Sequence, residues 1–161
     1  MTTDNAVHDR ISLLDAVAQH AREHDGFAAV EVDGPVVVAH AKDTPSPVYY
    51  RLELADADVH VSWNTPDRYL SQSIEADLLW TGDDLDDLID EELVDLGWNR
   101  GRLDKLSHYR NDEMLFTFRS KLPLAAADLS QRDAEDLARC LMAYEIAFRE
   151  LGDMQEDDED E

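Results

Sequence analysis

The chain has 161 residues, 43% of them hydrophobic, enough for one domain with a real core. It carries 38 acidic against 14 basic residues, a formal net charge of −24, and no basic stripe, which excludes direct nucleic-acid binding. No run approaches the length of a membrane span, and the single cysteine, Cys140, excludes an intrachain disulfide. The expectation is a soluble cytoplasmic protein with no membrane partner and no cofactor, in which Cys140 is a small apolar packing residue.

In chain order, Val7 to His24 reads as a first helix with Leu13, Leu14, Val17 and Ala21 as its buried stripe. Asp25-Gly26 closes it, glycine taking the left-handed exit position. Phe27–Val32 and Val36–Ala41 are β-branched strands joined by Asp33-Gly34, a strong hairpin signal. The Val36-Val37-Val38 run predicts a strand buried on both faces or central in the sheet. After the proline-punctuated loop Lys42–Pro47, Val48, Tyr50, Leu52 and Leu54 alternate against Tyr49, Arg51 and Glu53. Ala55–Asp58 turns the chain, and Val59, Val61 and Trp63 continue the alternation, completing a four-stranded antiparallel meander.

Thr65-Pro66 is a helix-start pattern, and Asp67–Trp80 has helical spacing at Leu70, Ile74 and Leu78, with an extended edge strand as the alternative. Thr81 with Asp84 forms a capping pattern ahead of a helix with Leu85, Leu88, Ile89, Val94 and Leu96, ending at Gly97. Ser107–Arg110 is a short strand paired with Glu113–Lys121, and Pro123–Leu129 is a connection. Ser130 and Asp133 form a capping box for the closing helix, which presents Leu137, Leu141, Tyr144, Phe148 and Leu151 on one face and exits at Gly152. The fold class is therefore α+β, helices on an antiparallel β-meander sheet, in the order α-β-β-β-β-(α)-α-β-β-α. Residues 1–152 form a single domain, and 153–161 are a disordered acidic tail.

Two resemblances follow. The aspartate-rich, lysine-poor composition, with Lys42, Lys105 and Lys121 the only lysines, resembles that of salt-in halophiles such as haloarchaea, which implies a high-KCl environment. The element order, and above all Glu113–Leu124 running into Leu137–Leu151, resembles the small YbjN-like proteins and the type III secretion chaperone-like fold. That resemblance implies a non-enzymatic, often dimeric binding protein that docks partner segments.

Candidate chemistry is sparse. His20, Glu23 and His24 match H-x-x-E-H, two imidazoles one helical turn apart with a carboxylate beside them, a spacing that can hold zinc for a small metal-dependent hydrolase. The competing account is ordinary helix-end histidines against the negative end of the dipole. Asp83, Asp84, Asp86, Asp87 and Asp90 lack the glycine and ligand alternation of a calcium loop and read as a solvated face. Trp98 with Arg100, Arg102, Lys105 and Arg110 gathers much of the basic charge. It serves either to neutralise the adjacent acidic helix or, through Trp98, Arg100, Arg102 and Arg110, as a contact patch for a protein partner or a second copy. The leading expectation is a binding or adaptor protein with no catalytic residues; the alternative is the hydrolase.

Overall fold

Period-2 alternation along the strands and 3.6-residue periodicity along the helices sort the apolar side chains onto a single seam. The computed structural model describes residues 2–42, 47–55, 57–67, 85–104, 107–110 and 114–159. Helix α1 (Thr2–Arg22) is followed by strands β1 (Phe27–Asp33), β2 (Val36–Ala41), β3 (Tyr49–Ala55) and β4 (Asp58–Thr65). Helix α2 (Leu85–Leu96), strands β5 (Ser107–Arg110) and β6 (Phe116–Ala125), and helix α3 (Ala134–Glu159) complete the order. The sheet has 6 strands in the order β1-β2-β3-β4-β6-β5, all antiparallel, so the architecture is the expected α+β. The expected second helix or edge strand at Asp67–Trp80, and the Thr81–Asp84 cap, lie almost wholly outside the described residues.

One sheet face is mostly apolar: Val37, Ala39, Tyr50, Leu52, Leu54, Val59, Val61, Trp63, Phe118 and Leu122 are all buried. Helices α1 and α3 pack on it, and α2 packs on α3. Phe148 of α3 is the pin of this seam. It stacks on Trp63 at 5.0 Å and 6° and meets Phe118, Tyr50 and Tyr144 edge-on or tilted, contacts that add to their burial. Cys140 is fully buried in the same core, and burial pushes its thiol well above the ordinary range, in keeping with a packing role.

Several boundaries differ from the sequence reading, each for a local reason. Helix α1 ends at Arg22, whose guanidinium crosses to the Val30 carbonyl at 2.9 Å. Gly26 is not among the positive-φ glycines. It is glycine for space, because a Cβ there would stand 1.8 Å from Glu145 Oε1. Gly97 does take the exit position, at φ 102°, with Trp98 N–H donating to Leu93 O and Gly97 N–H to Val94 O, the paired bonds of a Schellman ending. Val94, expected in the apolar stripe of α2, is 61% exposed. Leu85, Ile89 and Leu93 do the packing instead.

Strand β2 lies inside the sheet, between β1 and β3, as the valine run allows, but only Val37 of the run is fully buried, since its neighbours point to the opposite, half-covered face. Strand β6 begins at Phe116 rather than Glu113, because Met114 adopts φ 67° and breaks extended backbone. It then runs on to Ala125, with Pro123 tolerated where the β4–β6 register slips between Asp58 and His60. Helix α3 continues through Gly152 to Glu159, so 153–159 are helix where an acidic tail was expected. A glycine costs a helix interior only about 1 kcal/mol, which a long, anchored helix sustains.

Candidate functional site

The expected residues are employed inside the molecule. Trp98 is 5% exposed, held over α2 by the Schellman ending, and its Nε1 donates to Gly101 O at 2.6 Å. Arg100 bonds Asp133 at 2.8 Å and Asp136 at 2.7 Å, tying the loop after α2 to the start of α3. Burial alone would raise the Asp133 carboxyl, but the Ser130 amide and Arg100 more than offset it and hold it below its ordinary value. Arg102 pairs with Asp87 on α2 at 2.5 Å, the neutralising role weighed above. Arg110 stands at the end of β5, opposite Phe116, in a different element.

The H-x-x-E-H residues are divided by the end of α1. His20 is on the helix, whereas Glu23 and His24 lie in the turn beyond it, so the i, i+4 face needed for joint chelation does not form. Among the described residues no group of three or more His, Cys, Asp or Glu side chains could hold a metal ion. His24 instead bonds Glu145 Oε1 at 2.6 Å, while Arg149 Nε reaches Glu145 Oε2 at 3.1 Å. Glu145 is 3% exposed, so this is a satisfied buried carboxylate that staples the α1–β1 turn to α3. His24 also lies edge-on to Phe27 at 5.0 Å, which fixes the ring.

The densest set of polar side chains outside these staples is on the face of the sheet turned away from the helices. Strand register assembles it in rows. The middle row reads Glu31, Val38, Arg51, Ser62, Arg119 and Ser107, each paired with the next across the strands. On one side lie His40, Tyr49, Asn64, Thr117 and Tyr109; on the other lie Val36, Glu53, His60 and Lys121. In a chain of net −24, this face carries Arg51, Arg119 and Lys121 with two imidazoles.

Its flanking charges are paired: Glu31 with His40 at 2.8 Å and Asp58 with Lys121 at 3.5 Å. The middle of the face has a different chemistry. Thr117 donates to Asn64 Oδ1 at 2.9 Å, which turns the Asn64 amide nitrogen toward Ser62 Oγ at 3.0 Å and Tyr49 O at 3.5 Å. The Thr117 hydroxyl also lies 3.2 Å from Leu115 O, so these three side chains form one connected buried network with the backbone.

On either side of Ser62 stand guanidiniums, which only donate. Arg51 lies over the Tyr49 ring at 5.8 Å, a cation–π contact. Arg119 Nη1 donates to Tyr109 Oη at 3.1 Å. Arg119 Nε and His60 Nδ1 are buried and meet no hydrogen-bond partner among the described residues, a condition that costs about 1–3 kcal/mol per group. Burial first, then the adjacent Arg119, lowers the His60 pKa below its ordinary value.

Sequence reading singles out none of Ser62, Asn64, Thr117 or Arg119. The signal available was their parity, for they are the outward positions of strands whose inward positions are apolar. A shallow groove at the edge of the same sheet, of about 320 Å³, is lined by Asp58, Asp104, Lys121 and Leu122–Ala125 and brings no reactive group together. No described helix is long and apolar enough to cross a membrane. No family model, curated protein or solved structure matches this chain.

Proposed function

We propose that this chain is a non-catalytic binding protein that docks an acidic segment of a protein partner on the face of its sheet turned away from the described helices. The observation that supports it is the concentration of the cations Arg51, Arg119 and Lys121 on one face of a chain of net −24. A second copy is the less favourable occupant, because a twofold contact through this face would set arginines against arginines. The YbjN-like resemblance accords with the docking reading, since those proteins hold partner segments. The metal-dependent hydrolase is disfavoured by the commitment of His24 to Glu145. The acidic composition accords with a high-salt cytoplasm, where screening relieves self-repulsion.

The test is fluorescence anisotropy with a labelled glutamate-rich peptide and its glutamine counterpart, in molar KCl. Binding of the first alone, abolished by Arg51→Glu with Arg119→Glu, is the expected result. Equal binding of both peptides, or none, overturns the docking reading, and a mass-dependent dimer lost in the same double variant would replace it with self-association. The salt reading has its own check: the melting temperature should rise between dilute buffer and molar KCl.

A further inference from the structure

We infer that Arg22 guards the open edge of the sheet: it holds the Val30 carbonyl, the acceptor that strand β1 of a second copy would use, and so keeps two copies from pairing edge to edge. Among the described residues the sheet ends on β5 at one side and on β1 at the other. Strand β5 has 4 residues, and so short an edge offers little to pair with. Strand β1 has 7, with no proline or lysine, and its exposed Ala28 and Ala29 are too small to screen the backbone. A bulge between Phe27 and Ala29 disturbs its start and leaves its middle regular.

Backbone bonding fixes which carbonyls of β1 face outward. Leu54 N–H donates to Pro35 O at 3.0 Å and Ala41 N–H to Val48 O at 2.9 Å, so the odd-numbered residues along β2 bond to β3. The even-numbered ones bond to β1, where Val36 and Val38 stand opposite Asp33 and Glu31. The alternate residues of β1, Val30 and Val32, therefore turn their backbone groups to the open edge. Arg22 reaches the middle residue of β1, Val30, from the end of α1. Its Nε and Nη2 both donate to Val30 O, at 3.1 and 2.9 Å. A carbonyl oxygen has two lone pairs, so this fork leaves none for the amide of an incoming strand. Paired strands lie about 4.8 Å apart, and the guanidinium stands inside that gap.

A second copy is the occupant this edge fits. Antiparallel pairing centred on Val30 sets Val30 against Val30 and Ala29 against Glu31, so no two like charges stand directly opposite. In that twofold contact each Val30 amide donates to the other copy's Val30 carbonyl, the oxygen that Arg22 holds. In molar KCl the repulsion between two bodies of net −24 is screened, and the edge itself must then keep the copies apart.

The test measures mass by analytical ultracentrifugation, and hydrogen exchange at the Val30 and Val32 amides, on the intact protein over a range of concentrations in molar KCl. Arg22→Ala should raise self-association about tenfold over wild type and slow exchange at both amides as concentration rises. Val32→Pro added to Arg22→Ala should restore the wild-type mass, because the Val32 N–H faces the open edge and its loss spares the β1–β2 ladder. Arg22→Gln, which loses the charged fork, should behave as Arg22→Ala does and stands in if that variant does not fold. A folded Arg22 variant whose mass and exchange match wild type would overturn the guard and leave Arg22 a tie between α1 and β1. A dimer that Val32→Pro does not dissolve would overturn it too, for the copies would then meet elsewhere.

Discussion

The two faces of the sheet are built from the same strands at alternate residues, yet they solve opposite problems. On the helix side, Trp63, Phe118 and Leu52 are closed by Phe148 and its neighbours, and the polar groups there have partners: Ser120, for instance, bonds the Tyr144 hydroxyl. On the other side, Ser62, Asn64 and Thr117 bond one another, and Arg119 Nε has no acceptor among the described residues. Natural proteins leave few buried donors unsatisfied, so the second face is the less completely satisfied of the two. The comparison makes a general expectation: substitutions on the helix face should cost stability, and those on the outer face should cost binding.

The largest effect should come from Phe148→Ala, which empties the ring cluster between Trp63, Phe118 and Tyr50. A loss of about 4 kcal/mol in chemical denaturation is expected, and a loss under 1 would mean the faces are not so differently packed. Next is the Glu145 staple. Glu145→Ala should cost about 3 kcal/mol by stranding His24 and Arg149 beside an emptied site. Gly26→Ala should cost about 2 through the 1.8 Å approach to Glu145 Oε1. Because both act on the same contact, the double variant should be less destabilised than the sum.

Asp133→Asn should cost about 1.5 kcal/mol, since it weakens Arg100 and the Ser130 cap together. The Asp133 carboxyl sits below its ordinary value when folded. Its contribution is therefore present above the unfolded pKa and lost as pH falls through the folded one, from roughly pH 4 downward. The wild type should lose stability over that range more steeply than the Asn variant. Smallest is Arg119→Gln, expected to stay within about 0.5 kcal/mol of wild type because it removes one exposed bond to Tyr109 Oη and an Nε with no acceptor among the described residues. If it instead unfolds the protein, the contrast between the faces collapses.

Much of this fold was legible beforehand because it is local. Leu13, Leu14, Val17 and Ala21 face the core as their spacing predicts, Val48 to Leu54 alternate as expected, and Gly97 ends α2. The Ser130–Asp133 cap also formed, the Asp133 carboxylate accepting from the Ser130 amide at 2.8 Å. What failed was the assumption that a residue's type announces its employment. Trp98 and Arg100, expected on a surface patch, are drawn inward because Leu93 and the α3 N-terminus happen to stand within reach. His24 left its helix because Glu145, 121 residues away, offers a buried carboxylate.

The candidate binding face was hidden for a related reason. Parity along β3, β4 and β6 states that Arg51, Ser62 and Arg119 avoid the apolar face, and nothing more. Their meeting needs β6 to insert between β4 and β5 and the strands to align in register. Element type, core stripes and caps are set by interactions within a few residues, and the sequence by itself determined those. Which strands adjoin, which face the helices cover and which charges meet depend on contacts closed over long stretches of chain, and these only the tertiary structure decided.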